Sequence, residues 1–273
     1  MATPTISILM ATRNRANLIG QAIESVRRQT LREWELIVID DGSPDNTAEV
    51  MVEWERRDGR IKYLRIPRIG HIAGVSNAGL RAANGEFVAI LDDDDYWIDD
   101  RKLERQVAFL HGHPDHVACG GWFISVDGDG KETARFRKPE TDAAIRRVAL
   151  FANPIANSTA LFRRTEGGYY DEAVHGFADW DFWLTLGKRG KLANLPEYFL
   201  AYRMWSGSGS FVDTKRNADA GLRIVLKHRG EYPGFYRALA MAEIYRIYAR
   251  LPLGVRRWTN KSLSRLKKWL FSR

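Results

Sequence analysis

The sequence predicts an α/β fold, a mostly parallel sheet flanked by helices, with a helical appendage at the C-terminus. Three observations carry that reading. Short apolar, β-branched runs alternate with apolar residues at helical spacing through residues 1–113, which places parallel strands beneath helices on both faces. Beyond Pro114 the alternation gives way to a hairpin, further short strands and closing helices. The 273 residues are 45% hydrophobic and 28% charged, enough for one large core and too ordinary for a disordered, collagen-like or disulfide-framed chain.

Ile6–Ala11 reads as a buried strand. Leu18, Ile19, Ala22, Ile23 and Val26 give the stretch from Asn17 to Gln29 one apolar helical face. Glu35–Asp40 is a second strand, and Asp45 can cap a helix running to Arg57. Ile61–Ile66 is a third strand, Ala73–Ala83 a helix that stops near Asn84-Gly85, and Phe87–Leu91 a fourth strand. A helix from Asp99 or Asp100 to His111 follows. Val117–Val126 and Thr133–Phe136 form a hairpin about the turn Asp127–Gly130. Ala143–Phe151 is helical, Ser158–Phe162 a strand, Asp179–Lys188 a helix and Tyr198–Arg203 a strand. Helices over Lys215–His228, Phe235–Ala249 and residues 254–271 close the chain.

The net charge of +8 is confined to one end. After Glu243 come nine basic residues, Arg246, Arg250, Arg256, Arg257, Lys261, Arg265, Lys267, Lys268 and Arg273, and no acidic one. The body is therefore one charge short of neutral, which argues against a nucleic-acid partner at its working site. The lone cysteine, Cys119, excludes an internal disulfide and reads as a buried core residue in a reducing, cytoplasmic setting. The opening residues lack a signal-peptide pattern, and no apolar run approaches the ~18 residues of a membrane span.

In an open parallel sheet, ligands bind beyond the carboxyl ends of the strands. The first strand ends in Ala11-Thr12-Arg13-Asn14-Arg15, the second in Asp40-Asp41-Gly42-Ser43, the fourth in Asp92-Asp93-Asp94-Asp95. Four adjacent carboxylates after a buried strand repel one another and cannot all be solvated. A hard cation, Mg²⁺ or Mn²⁺, shared with substrate phosphates accounts for them better than a solvated turn. Neither a P-loop nor a dinucleotide fingerprint follows the first strand.

The segments Ile6–Arg15, Gln29-Thr30 and Trp34–Ser43, followed in order by Asn77-x-Gly79-Leu80, Ala83-x-Gly85-Glu86-Phe87, Leu91–Asp95, Asp179-Trp180-Asp181-Phe182-Trp183 and Tyr202-Arg203, resemble family 2 glycosyltransferases over residues 5–210. The resemblance implies a GT-A fold, a nucleotide-diphospho-sugar donor, with a UDP-sugar favoured, and a divalent metal. It implies a nucleotide-sugar site of Ala11, Thr12, Asn14, Arg15, Asp41, Asn77, Asp92, Asp93 and Asp94. Asp94 and Asp92 would hold the metal, and Asp179 would be the catalytic base, with Asp181 the alternative. Trp180, Asp181 and Trp205 are candidate contacts to a saccharide or lipid-linked acceptor. Three positions depart from the family's pattern: Ala178 precedes Asp179, Ser76 precedes Asn77, and Trp205 stands where a histidine is usual. A catalytic domain over residues 1–230 is expected, with a nucleotide-sugar half (1–113) and an acceptor half (114–230). Residues 231–273 would form a basic helical extension. A non-catalytic binding module and a sugar-nucleotide pyrophosphorylase are the competing readings. The latter calls for a basic glycine-rich loop that Ala11–Ala16 does not provide.

In residues 254–271, Trp258, Leu263, Leu266, Trp269 and Leu270 fall largely along one side of a basic helix. Such a helix is suited to the surface of an anionic membrane, which would place a cytoplasmic enzyme peripherally at its inner face. The alternative is a packed terminal helix with a solvated basic side.

Overall fold

Alternating apolar residues in Ile-Ser-Ile-Leu-Met-Ala-Thr form β1 (Ile6–Thr12), whose Ile6, Ile8 and Met10 are fully buried against the helices on one face. The computed structural model describes residues 4–165, 168–204 and 214–252. β1 lies between β2 (Trp34–Asp41) and β4 (Phe87–Ile90), with β3 (Ile61–Ile66) beyond β2, and all four are parallel. Helices α1 (Ile19–Arg27), α2 (Thr47–Arg57) and α3 (Ile72–Ala82) make the crossovers, and α4 (Lys102–Gly112) follows the short β5 (Tyr96–Trp97). Two apolar clusters, one on each face of the sheet, form the core. Each fully buried aliphatic side chain there contributes about 1.5–3 kcal/mol.

The second half continues the same sheet in mixed directions. β6 (His116–Val126) and β8 (Leu161–Arg163) pair antiparallel, β8 pairs antiparallel with β4, and β9 (Lys191–Arg203) runs parallel to β6. The nine-stranded order is β3-β2-β1-β4-β8-β6-β9-β5, with β7 (Glu132–Phe136) hung on β6. α5 (Asp142–Val148) and α6 (Ala178–Leu186) pack on this half. α7 (Thr214–Lys227) and α8 (Phe235–Arg250) join Trp180 and Leu184 of α6 in a third cluster through Ile224, Val225 and Ala238. α8, which falls in the expected C-terminal extension, shares a core with α6.

Three elements differ from the sequence expectation. β9 begins at Lys191 rather than Tyr198 because a bulge in β9, opposite Gly121 and Trp122 of β6, absorbs the interruption at Pro196. The run expected as a strand from Ser158 opens with a 3-10 turn over Asn157–Thr159. Two-residue β5 is too short to carry a periodic signal. Gly85 explains its own place in the sequence: a β-carbon there would sit 2.5 Å from the Ser7 amide nitrogen. Its N–H and that of Asn84 both donate to Ser7 Oγ, at 2.8 and 3.0 Å.

Lys102 lies fully buried in α4, its Nζ donating to Gln106 Oε1 at 2.7 Å and 4.1 Å from the centre of the Trp97 ring. Burial pushes its pKa down to about 7, against the pull of Cys119 and Asp99. Between that value and the ordinary one near 10.4, the folded chain holds fewer protons than the unfolded one. Stability should therefore rise with pH across that window, by up to about 1.4 kcal/mol per unit from this group, and be flat below it. Denaturant titrations at pH 7 and 9 should show this rise in the natural chain and not in Lys102→Met; an equal rise in both would contradict the assignment.

Candidate active site

The parallel register brings the chemistry to one edge. Thr12 pairs with Asp40, so β1 and β2 end together, and β4 ends at Ile90 opposite Leu9, so that its continuation runs out beside the last residues of β1. The acidic run 92–95 leaves the sheet there beside the loop after β1. Arg15 reaches across that loop: Nη1 lies 3.0 Å from Asp93 Oδ1 and also bonds Asp94 Oδ2. Asn14 adopts a left-handed φ of 55° and donates its N–H to Ser43 Oγ at 3.0 Å, tying the first loop to the second.

Each carboxylate of the run has distinct surroundings. The Asp92 N–H donates to Ser158 Oγ at 3.2 Å, and Asn157 Nδ2 donates to its Oδ1 at 3.4 Å. Burial, then Asp94 and Asp179, push the Asp92 carboxyl up to about 6. Burial likewise pushes Asp93 up to about 7, with Arg15 pulling the other way. Asp95 is raised well above the carboxylate range by burial and by Asp92 and Asp94. Its Oδ1 accepts the Arg203 N–H at 2.9 Å, and Arg203 Nε donates to the Asp94 carbonyl at 3.0 Å. Arg203 thus holds the acidic loop by its backbone from the end of β9.

Asp179 stands in the first turn of α6, after Gly176 (φ 99°) and Phe177 (φ 50°). A left-handed phenylalanine is a strained position. A β-carbon on Gly176 would meet Asn217 Oδ1 at 2.9 Å, so glycine is required there for both backbone and space. Asn153 Nδ2 donates to Asp179 Oδ2 at 2.6 Å. Burial pushes the Asp179 carboxyl up, opposed by the first backbone N–H groups of α6, Lys138 and Asn153. Its charge also raises the Asp92 carboxyl, so the two acids lie within electrostatic reach of each other.

Other expected residues also make structural contacts. Asp41 accepts the N–H groups of Ile69 and Gly70, the latter at 3.0 Å, and folds the loop after β3 over the edge. Asn77 is buried, bonding the Tyr170 backbone at both ends of its amide and donating to Glu172 Oε1 at 2.9 Å. Thr12 is buried at the end of β1, while Ala11 is partly exposed. Trp180 is 8% exposed and donates Nε1–H to the Ala149 carbonyl at 2.6 Å. Asp181 is 1% exposed, with His228 Nε2 and Lys227 Nζ each donating to it at 2.8 Å. Burial alone would raise its pKa, but those two partners hold it below the ordinary range. Its carboxylate is a strut between α6 and the end of α7. Trp205 lies outside the described residues. Asn153, Lys138, Ser158 and the backbone role of Arg203 were not read from the sequence; none sits in a periodic or repeated pattern.

The implied divalent cation can be tested against these groups. Among the described residues no three of His, Cys, Asp and Glu form a ready-made cage. Asp92 and Asp94 nonetheless supply hard oxygen donors, and Asp93 Oδ2 and Asp95 Oδ2 are buried without a hydrogen bond. An acidic cluster this poorly compensated fits a cation that completes its shell with substrate phosphates.

The sheet thus gathers an acidic run at the carboxyl edge of its parallel half, with Asp179 on its other half. The chain belongs to glycosyl transferase family 2, whose family model matches residues 7–166. It is 42% identical over 105 residues to the Escherichia coli UDP-Glc:alpha-D-GlcNAc-diphosphoundecaprenol beta-1,3-glucosyltransferase WfgD, covering 38% of this chain and 40% of that protein. Among solved structures, S. aureus TarS 1–349 with UDP superposes with a TM-score of 0.69 at 20% identity, over 94% of this chain and 78% of that one. The Pyrobaculum calidifontis mannosyltransferase PcManGT with GDP-Man and Mn²⁺ gives 0.67 at 19%, over 90% and 70%. These likenesses confirm the fold expected from the sequence. Among the described residues no helix is long and apolar enough to cross a membrane.

Proposed function

We propose that the chain transfers a sugar from a nucleoside-diphosphate donor, a UDP-sugar in the first instance, to an acceptor hydroxyl with inversion at the anomeric carbon. The observation that supports this is the partly buried Asp179 carboxylate at the start of α6, within electrostatic reach of Asp92 and with its pKa raised by burial, the direction a general base needs. The acceptor oxygen gives its proton to Asp179 and bonds the anomeric carbon. The bond to the diphosphate oxygen breaks, and its electron pair leaves with the nucleoside diphosphate. Asp94 and Asp92 would hold Mg²⁺ or Mn²⁺, which neutralises the leaving diphosphate when bound. The loops after β1, β2 and β3, shaped by Asn14, Asp41 and Arg15, enclose the nucleoside end. Asn77 fixes the segment 168–172 beside it.

The acceptor is a saccharide or a lipid-linked saccharide in surface polysaccharide or glycolipid assembly. The WfgD likeness supports the lipid-linked class, and that protein's name states a diphosphoundecaprenol acceptor. Residues 254–271 lie outside the described residues; their basic, tryptophan-bearing pattern supports peripheral attachment to an anionic membrane at about 1 kcal/mol per basic residue near the surface.

A thermal-shift screen with UDP-, GDP- and dTDP-sugars, with and without Mn²⁺, tests the donor reading. A ligand at a hundredfold excess over its Kd adds about 2.7 kcal/mol, or roughly 5–10 °C for a chain of this size. UDP-sugars should give the largest shift, and only with the metal. No shift with any nucleotide would contradict the proposal.

A further inference from the structure

Next to Asp179, a cavity of about 350 Å³ opens between the end of α5, the start of α6, α7 and α8. Phe151, Phe177, Trp180, Val225 and Met241 make its walls apolar. Native interiors hold few voids larger than a water molecule, and this volume falls in the range of small-ligand sites. Asn153 lines it too, and the same side chain donates to Asp179 Oδ2 at 2.6 Å. The cavity is therefore one amide away from the base.

Two cations stand close to its lining residues without lining it themselves. Lys138 Nζ donates to the Asn153 carbonyl at 2.8 Å. Arg216 stands on the other side, its Cγ 3.8 Å from where a β-carbon on Gly176 would lie, next to Phe177. On α8 the apolar surface continues outward through Ile244 and Ile247, the latter 63% exposed, beside Arg246 and Arg250. A bare saccharide would leave its hydroxyls unpaired against such walls.

We propose that this cavity receives the hydrocarbon of a lipid acceptor, with its anionic head between Lys138 and Arg216 and its reactive hydroxyl at Asp179. The inference rests on the reading of Asp179 as the base of a sugar transferase. A free phosphate would use the cations and ignore the walls; a lipid phosphate uses both, so chain length separates them.

The test uses the full chain with UDP present, and inorganic pyrophosphate, dimethylallyl, geranyl and farnesyl diphosphates as probes, followed by calorimetry. Affinity should climb at least about tenfold from dimethylallyl to farnesyl diphosphate, since each buried methylene adds to binding. Gly221→Leu fills the cavity from α7, where a β-carbon meets Trp180 Cζ3 at an ordinary 3.6 Å. Ala242→Phe fills it from α8. Both variants should lose the chain-length gain while binding UDP within about twofold of the natural chain, which shows that they fold. Equal affinity for all the diphosphates, or farnesyl diphosphate bound undiminished by both variants, would overturn the proposal. A chain-length gain without UDP binding would uphold the cavity and overturn the donor reading instead.

Discussion

Asp94→Asn is expected to lower turnover by about two orders of magnitude or more, close to 3 kcal/mol of transition-state stabilisation, while the fold stays intact. The substitution removes one formal charge from the group proposed to hold the cation. It leaves the loop's main anchors in place, because Arg203 binds the Asp94 backbone carbonyl and the Asp95 carboxylate rather than the Asp94 side chain. Arg15 keeps its bond to Asp93 at 3.0 Å. The unfolding temperature should therefore move little. The rate should fall at every metal concentration and need more metal to saturate. Unchanged metal-dependent turnover would remove Asp94 from the cation site.

Asp179→Asn should abolish transfer, with a fall of about three orders of magnitude or more, and leave donor affinity nearly unchanged. Asparagine keeps the shape and still accepts the Asn153 hydrogen bond, but it cannot take the acceptor proton. Asp181→Asn provides the contrast. It breaks a buried pairing to Lys227 and His228, so its cost falls on stability, about 3–5 kcal/mol, rather than on the chemistry of the folded fraction. Inactive, fully folded Asp181→Asn beside active Asp179→Asn would shift the base by two residues.

The parallel half of the sheet is legible because each strand is a buried apolar run and each crossover helix has its own period. The convergence of Thr12, Asp41 and Asp92–Asp95 follows from that alone, since parallel neighbours end at one edge. The second half is harder. The 3-10 turn over Asn157–Thr159 and the two-residue β5 carry no period, yet Ser158 and Asn157 hold Asp92. Asn153 is visible as a functional residue only once α6 is seen beside the α5 connection. The spacing Asp179-x-Asp181 shows two acids in one helical turn. Only packing reveals that the first is held by Asn153 and the second is spent on Lys227 and His228. Trp180 likewise faces the C-terminal helices because α7 and α8 pack there, a tertiary fact with no local signal.

On the proposed mechanism a donor-side carboxylate would hold a cation and an acceptor-side carboxylate would take a proton. Calorimetric titration of UDP with and without Mn²⁺ into the natural chain, Asp94→Asn and Asp179→Asn separates those roles directly. Mn²⁺ should tighten UDP binding about tenfold or more in the natural chain and equally in Asp179→Asn, and Asp94→Asn should lose this enhancement. Enhancement retained by Asp94→Asn, or lost by Asp179→Asn, would contradict that mechanism.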